Sequence, residues 1–226
     1  MSLILNIDTA AERAHVSFAK DGFVIQTLYS QSQKEHASFL QTAIEQLTKQ
    51  TDIKLKEIDA VAVTAGPGSY TGLRVGMASA KGLCYALQKP FITLNTLEVL
   101  AASAIHLFPN YKNEFLCCPM MDARRMEIFT AIYNSDLKIL LTPCAMILDE
   151  TSFKNELENN KILFFGSGSA KWKSICEHTN AAFENVQILP EALATLSFSL
   201  LLKNHFTDLI YSEPTYLKDF QTVNKL

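Results

Sequence analysis

The residues best placed to do chemistry fall in one stretch, Gly66-Pro67-Gly68-Ser69-Tyr70-Thr71-Gly72-Leu73-Arg74-Val75-Gly76, which holds four of the eight glycines. It follows an apolar run, Val61-Ala62-Val63-Thr64, and opens a helical pattern reaching about Leu87. A Gly-x-Gly bend lets backbone approach a ligand closely, and the helix N-terminus behind it offers unpaired N–H groups to an anion. The indicated chemistry is phosphate recognition. Asp8, beside Thr9 at the end of the first apolar run, could hold a metal–phosphate unit, with an Asx turn as the equal alternative. Asp122 and Gly166-x-Gly168 repeat this pairing of carboxylate and glycine bend later in the chain. A candidate ATP or ADP site therefore comprises Asp8, Thr9, Gly66, Gly68, Asp122, Gly166 and Gly168.

Other chemistries find less support. A dinucleotide fingerprint is the obvious rival, but the next apolar run ends at Asn95 without an acidic residue for a ribose, and the first three strands read as a meander in place of a βαβ unit. No Walker A sequence is present. Ser69 lies outside any G-x-S-x-G elbow and reads as a helix cap. The histidines (His15, His36, His106, His178, His205) are scattered, with none paired at i, i+4, so no metal site and no catalytic residue is expected. Five cysteines without a C-x-x-C pair read as reduced core thiols. Asp122-Ala123-Arg124-Arg125 sets two guanidiniums beside a carboxylate, either a phosphate contact or an exposed charged turn.

Positioning these residues takes a repeated set of elements. Apolar runs and turn signals predict strands over 3–7, 15–20 and 23–29, a helix over 35–50, a strand over 59–64, the glycine loop with its helix, a strand over 90–94 and a helix over 96–106. The second half predicts strands over 115–121, 127–133 and 138–147, a helix over 149–157, a strand over 162–165, and a helical stretch through Trp172 and Ile175. The fold class is thus α/β, a duplication of two lobes each β-β-β-α-β-α, spanning 1–108 and 109–226 with a joint at 109–113. A last helix over 190–204 is expected to pack back on the first lobe.

Bulk composition narrows the partners. With 48% hydrophobic and 19% charged residues the chain is globular, and a net charge of −3 with a pI near 6.0 argues against a broad nucleic-acid footprint. No window reaches the ~18 apolar residues of a membrane span, and the N-terminus reads as a strand and not a signal peptide, so the cytoplasm is expected. Gly68, Gly72, Gly76, Ala80 and Cys84 fall four apart, a row that permits close packing within the domain or against a partner. The partner face would comprise Leu40, Ile44 and Leu47 on the first helix with Gly72, Leu73, Gly76 and Ala80 on the second.

Asp8-Thr9-Ala10, the long glycine stretch, Ala80-Lys81-Gly82-Leu83, Met121-Asp122-Ala123-Arg124-Arg125 and Glu213-Pro214-Thr215-Tyr216-Leu217-Lys218 together resemble the bacterial TsaB family, also called YeaZ, over nearly the whole chain. The resemblance implies an actin/Hsp70/sugar-kinase (ASKHA) fold of two duplicated lobes. It also implies a part in making threonylcarbamoyladenosine in tRNA, beside a TsaD-like catalytic subunit that this chain pairs with and activates, with a TsaE-like ATPase joining and tRNA met only through the complex. In TsaD the segment after the next strand carries two metal-binding histidines; Thr96 and Leu100 of Asn95-Thr96-Leu97-Glu98-Val99-Leu100 stand in their places here. Neither replaces an imidazole on a metal, so the resemblance implies a chain without activity alone. Two alternatives stand beside it: an ATP-dependent kinase or ATPase using Asp8 and the glycine loops, and a stand-alone homodimeric scaffold.

Overall fold

The computed structural model describes residues 1–30, 36–111 and 113–218. Five strands of the first half, β1 (Leu3–Asp8), β2 (His15–Lys20), β3 (Phe23–Tyr29), β4 (Ala60–Gly66) and β5 (Phe91–Asn95), form one sheet in the order β3-β2-β1-β4-β5. The meander closes through Asp21 at φ 50° and Gly22 at φ 84°, the left-handed pair that a two-residue hairpin needs. β4 and β5 join parallel, and β4 is apolar along its length because both faces of the sheet are covered. α1 (His36–Thr51) and α2 (Tyr70–Leu87) form those crossovers, and α3 (Thr96–Leu107) leads out of the sheet. Ser69 caps α2, its hydroxyl accepting from the Gly72 N–H at 3.3 Å.

The second half repeats the plan with β6 (Phe115–Asp122), β7 (Glu127–Tyr133), β8 (Ile139–Ile147), β9 (Lys161–Phe165) and β10 (Ala181–Phe183), ordered β10-β9-β6-β7-β8. Each sheet is a three-stranded meander whose first strand continues into two parallel strands, which is the duplicated ASKHA topology. α4 (Lys154–Asn159) and α5 (Ser169–Lys173) flank the second sheet, and α6 (Pro190–Leu202) returns to pack on α3 and the first sheet.

Local chemistry explains the departures from the predicted elements. α4 starts later than residue 149 because the Asp149 carboxylate accepts from the Thr151 N–H and hydroxyl, and Phe153 sits at φ 57°. α5 is one short turn, and β10 carries no apolar signature strong enough to announce a strand. Residues 35 and 112, in the predicted first helix and in the predicted joint, lie outside the described residues.

The layers follow from which face each side chain takes. Leu5, Ile7, Val61 and Val63 face α1 and α2, while Ile4, Ala60 and Ala62 face the other way, toward α3 and α6. Those inner helices also meet Met121, Tyr133, Leu163 and Phe165 of the second sheet, so a continuous apolar core joins the two halves. Phe164, Phe153, Leu157 and Trp172 form the outer core under α4 and α5. No helix among the described residues is long and apolar enough to cross a membrane.

Candidate functional site

Asp8 ends β1 with no exposed surface, and its environment is built by its own sheet. One carboxylate oxygen accepts from the Thr64 hydroxyl at 2.6 Å and the Ala10 N–H at 3.1 Å, and the other faces His15 Nδ1 at 3.6 Å. The antiparallel register sets Asn6 opposite Ser17 and Asp8 opposite His15, so these four buried side chains make a polar block on the face that α6 covers. Both Asn6 side-chain atoms, Asp8 Oδ2, His15 Nε2 and Ser17 Oγ make no hydrogen bond to another described residue. Thr9 is also buried and donates to the Gly72 carbonyl at 2.7 Å, tying the strand end to α2.

Burial pushes the His15 imidazole below its ordinary value of 6.5, against the opposing pull of Asp8 and Glu191 and with a small push from Arg13 in the same direction. The unfolded chain therefore binds more protons than the folded one below pH 6.5. Stability supplied by the neutral imidazole is complete above that pH and is lost as pH falls through the folded value. The melting temperature should accordingly drop between pH 7.5 and pH 5.5, and His15→Gln should flatten that slope; an equal slope in the variant would move the effect elsewhere.

The glycine loop is filled by the chain itself. Gly66 has φ 120°, and a Cβ there would lie 2.5 Å from the Thr215 carbonyl oxygen; one on Gly68 would lie 2.5 Å from the Ala10 carbonyl oxygen. The Ser69 N–H donates to that Ala10 carbonyl at 2.8 Å, and Thr215 N–H donates to the Ala65 carbonyl at 2.7 Å. The close approach that each of these glycines allows is thus taken up by a carbonyl oxygen of the chain itself, and the Ser69 N–H at the start of α2 is spent on Ala10 in place of an anion. The segment responsible crosses the β5 edge at Thr207, passes Lys81, whose ammonium donates to the Ile210 and Ser212 carbonyls, and sets the Tyr216 hydroxyl 3.1 Å from Arg74 Nε. Lys218 then pairs with Glu127 of β7, fastening the strap to the second sheet.

The second loop is closed in the same manner. Gly166 has φ 94° and would meet the Met120 carbonyl oxygen at 2.5 Å, while Gly168 sits against Ile128 and Met121. Asp122 is half-exposed and pairs with Lys171 at 3.0 Å. Asp8, Thr9, Gly66 and Gly68 thus form one cluster and Asp122, Gly166 and Gly168 another, with no hydrogen bond or ion pair between the clusters among the described residues. α3 stands between them. Thr96 at its start accepts from the Gly66 N–H at 3.2 Å, and Leu100 one turn on lies 2.9 Å from where a Gly166 Cβ would be. The two positions aligned with metal histidines in the resemblance therefore hold one glycine loop each. Among the described residues no group of three or more His, Cys, Asp and Glu is placed to hold a metal.

The seven partner-face residues require correction. Leu40, Ile44, Leu47, Leu73 and Ala80 are at most 3% exposed, and Gly72 and Gly76 are buried too. A Cβ on Gly76 would lie 2.3 Å from Thr9 Oγ1, so the glycine row serves packing inside the lobe. The outward ridge of α2 is instead Thr71, Ala78, Gly82 and Tyr85, with the adjoining Ser79 bonded to Gln41 of α1. Gly82 has nothing within 4 Å of its Cβ position. Sequence spacing missed this ridge because the buried and exposed small residues share one helical repeat. Three of the five thiols belong to the interior, while Cys144 and Cys176 are partly exposed: burial pushes Cys84 and Cys117 up to about 11, and Cys118 further in the same direction.

Comparison with known proteins agrees with this arrangement. The TsaD family model, tRNA N6-adenosine threonylcarbamoyltransferase, matches residues 25–219. The tRNA threonylcarbamoyladenosine biosynthesis protein TsaB of Bacillus subtilis is 28% identical over 177 residues, covering 77% of this chain and 75% of its own. TsaB of Escherichia coli is 24% identical over 230 residues, covering 99% and 97% respectively. The structure of YeaZ from Pseudomonas aeruginosa superposes with a TM-score of 0.80 at 20% identity, covering 96% of this chain and 100% of that one. With its family model spanning well over half its length, and full-length relatives of the TsaB kind, the chain belongs to the TsaD family, in its TsaB (YeaZ) branch.

Proposed function

We propose that this chain takes part in tRNA threonylcarbamoyladenosine biosynthesis in the cytoplasm as the non-catalytic subunit that pairs with and activates a TsaD-like catalytic subunit. A TsaE-like ATPase joins the pair, and tRNA is engaged through the assembly. The observation that carries the reading is Gly82. A glycine inside a helix costs ~1 kcal/mol against alanine, and the other glycines of the α2 region are accounted for by contacts within the lobe. Gly82 has no internal contact to justify it, so an external helix approaching closely is its physical reason. Thr96 and Leu100 support the missing chemistry, since both fasten glycine loops and neither is a good metal ligand.

The test is Gly82→Leu in co-purification and titration with the TsaD-like subunit. The variant should weaken association by about tenfold or more, as a blocked centre of an interface does, while its melting temperature stays near wild type. An unchanged affinity would move the partner face off α2. Without that partner the same ridge is available to a second copy of this chain, which makes a homodimer the expected form of the isolated protein.

A further inference from the structure

Arg124 and Arg125 stand exposed at the tip of the β6–β7 hairpin with φ of 71° and 47°. Successive left-handed residues in a tight turn favour Asn and Gly, because a bulkier side chain crowds the neighbouring carbonyl. The turn is held by contacts that need no guanidinium. Asp122 Oδ1 accepts from the Arg124 N–H at 2.6 Å, the Glu127 N–H donates to the Arg124 carbonyl at 3.1 Å, and the Ala123 N–H donates to the Glu127 carbonyl at 3.1 Å. The acids of the hairpin are already neutralised, Asp122 by Lys171 and Glu127 by Lys218. Across the end of β8, Asp149 is engaged with Thr151 and Ser152. Among the described residues neither arginine side chain makes an ion pair or hydrogen bond. Two strained positions thus hold unpaired cations that the fold does not use.

We propose that Arg124 and Arg125 form a phosphate-gripping tip that contacts an RNA backbone. This rests on the proposed function, which supplies tRNA as the polyanion. A guanidinium offers a planar fork that binds phosphate oxygens two at a time, so two adjacent forks suit one or two consecutive phosphates. With a net charge of −3 the chain lacks a broad basic surface, so this contact would position the RNA and not read its sequence. An acidic segment of a partner protein is the competing occupant.

The decisive variant is Arg124→Asn with Arg125→Gly, which suits the turn while removing both charges. It should unfold at the same or a higher temperature than wild type. It should also bind an unmodified tRNA transcript about tenfold more weakly at physiological salt, with the slope of log affinity against log salt reduced by about 1–2. Binding is measured on the isolated chain and on its assembly with the TsaD-like subunit, after the stoichiometry of that assembly has been recorded. Wild-type affinity and slope in the variant would overturn the tip, as would a wild-type protein that binds no tRNA in either form. Weaker pairing with the TsaD-like subunit at unchanged RNA affinity would overturn it in favour of the protein occupant. If wild type fails to pair at all, the proposed function falls, and the isolated-chain titration still decides the tip.

Discussion

Asp8→Ala is expected to destabilise the chain by about 2–4 kcal/mol, the cost of leaving two buried hydrogen-bond donors without their acceptor. The substitution would leave the Thr64 hydroxyl and the Ala10 N–H without their acceptor and His15 Nδ1 without its carboxylate, at a place with no exposed surface. For a chain of this size that loss corresponds to roughly 4–16 °C in melting temperature. Asp8→Asn, which keeps an acceptor for Thr64 and Ala10, should recover part of it. Thermal unfolding of the three proteins is the measurement. A carboxylate kept for nucleotide chemistry would behave differently, because its removal would abolish turnover and leave the melting temperature within a degree or two. That second pattern would restore the kinase reading.

The largest contrast between two chemically identical changes is expected on α2. Gly82→Ala should stabilise the isolated protein by up to ~1 kcal/mol, since it removes the helix penalty of glycine at an open position. Gly76→Ala should destabilise it by about 2–3 kcal/mol, the cost of overpacking a tight core site. Its new methyl would stand 2.3 Å from Thr9 Oγ1 and 3.3 Å from Val63 Cγ2, displacing the hydroxyl that bonds Gly72. Urea unfolding midpoints of the two variants should fall on opposite sides of wild type. A shared direction would mean that burial does not decide the role of each glycine. Gly76→Leu, which the sequence alone recommends as a probe of the partner face, would for the same reason report on folding and not on assembly.

Much of the architecture was legible because period and punctuation are local. The 2.0 and 3.6 repeats, the Asp21-Gly22 turn and the glycine bends placed most strands and the longer helices, and the recurrence of Asp8 and Gly66-x-Gly68 as Asp122 and Gly166-x-Gly168 announced the duplication. β10 escaped, being three residues long and only half-buried, while the helical stretch expected through Trp172 and Ile175 is present as α5 but ends at Lys173.

The roles of the candidate residues were a different matter. Residue type and spacing marked Asp8, Thr9 and the glycines as places of close approach, and the long motifs marked the family. Spacing does not say what approaches: the occupants of the two loops come from Thr215, Ala10 and Met120, each remote in sequence from the glycine it meets, and only the folded chain brings them there. Likewise Gly76 and Gly82 sit in one helix with the same composition around them, and only the sheet packed beneath α2 makes one a core residue and the other a surface. The duplicated α/β plan and the family can be read from the residues alone, because both are written in short-range pattern. Which of its small and charged residues are spent on internal contacts and which stay at the surface emerges only on folding, because burial depends on what distant segments cover.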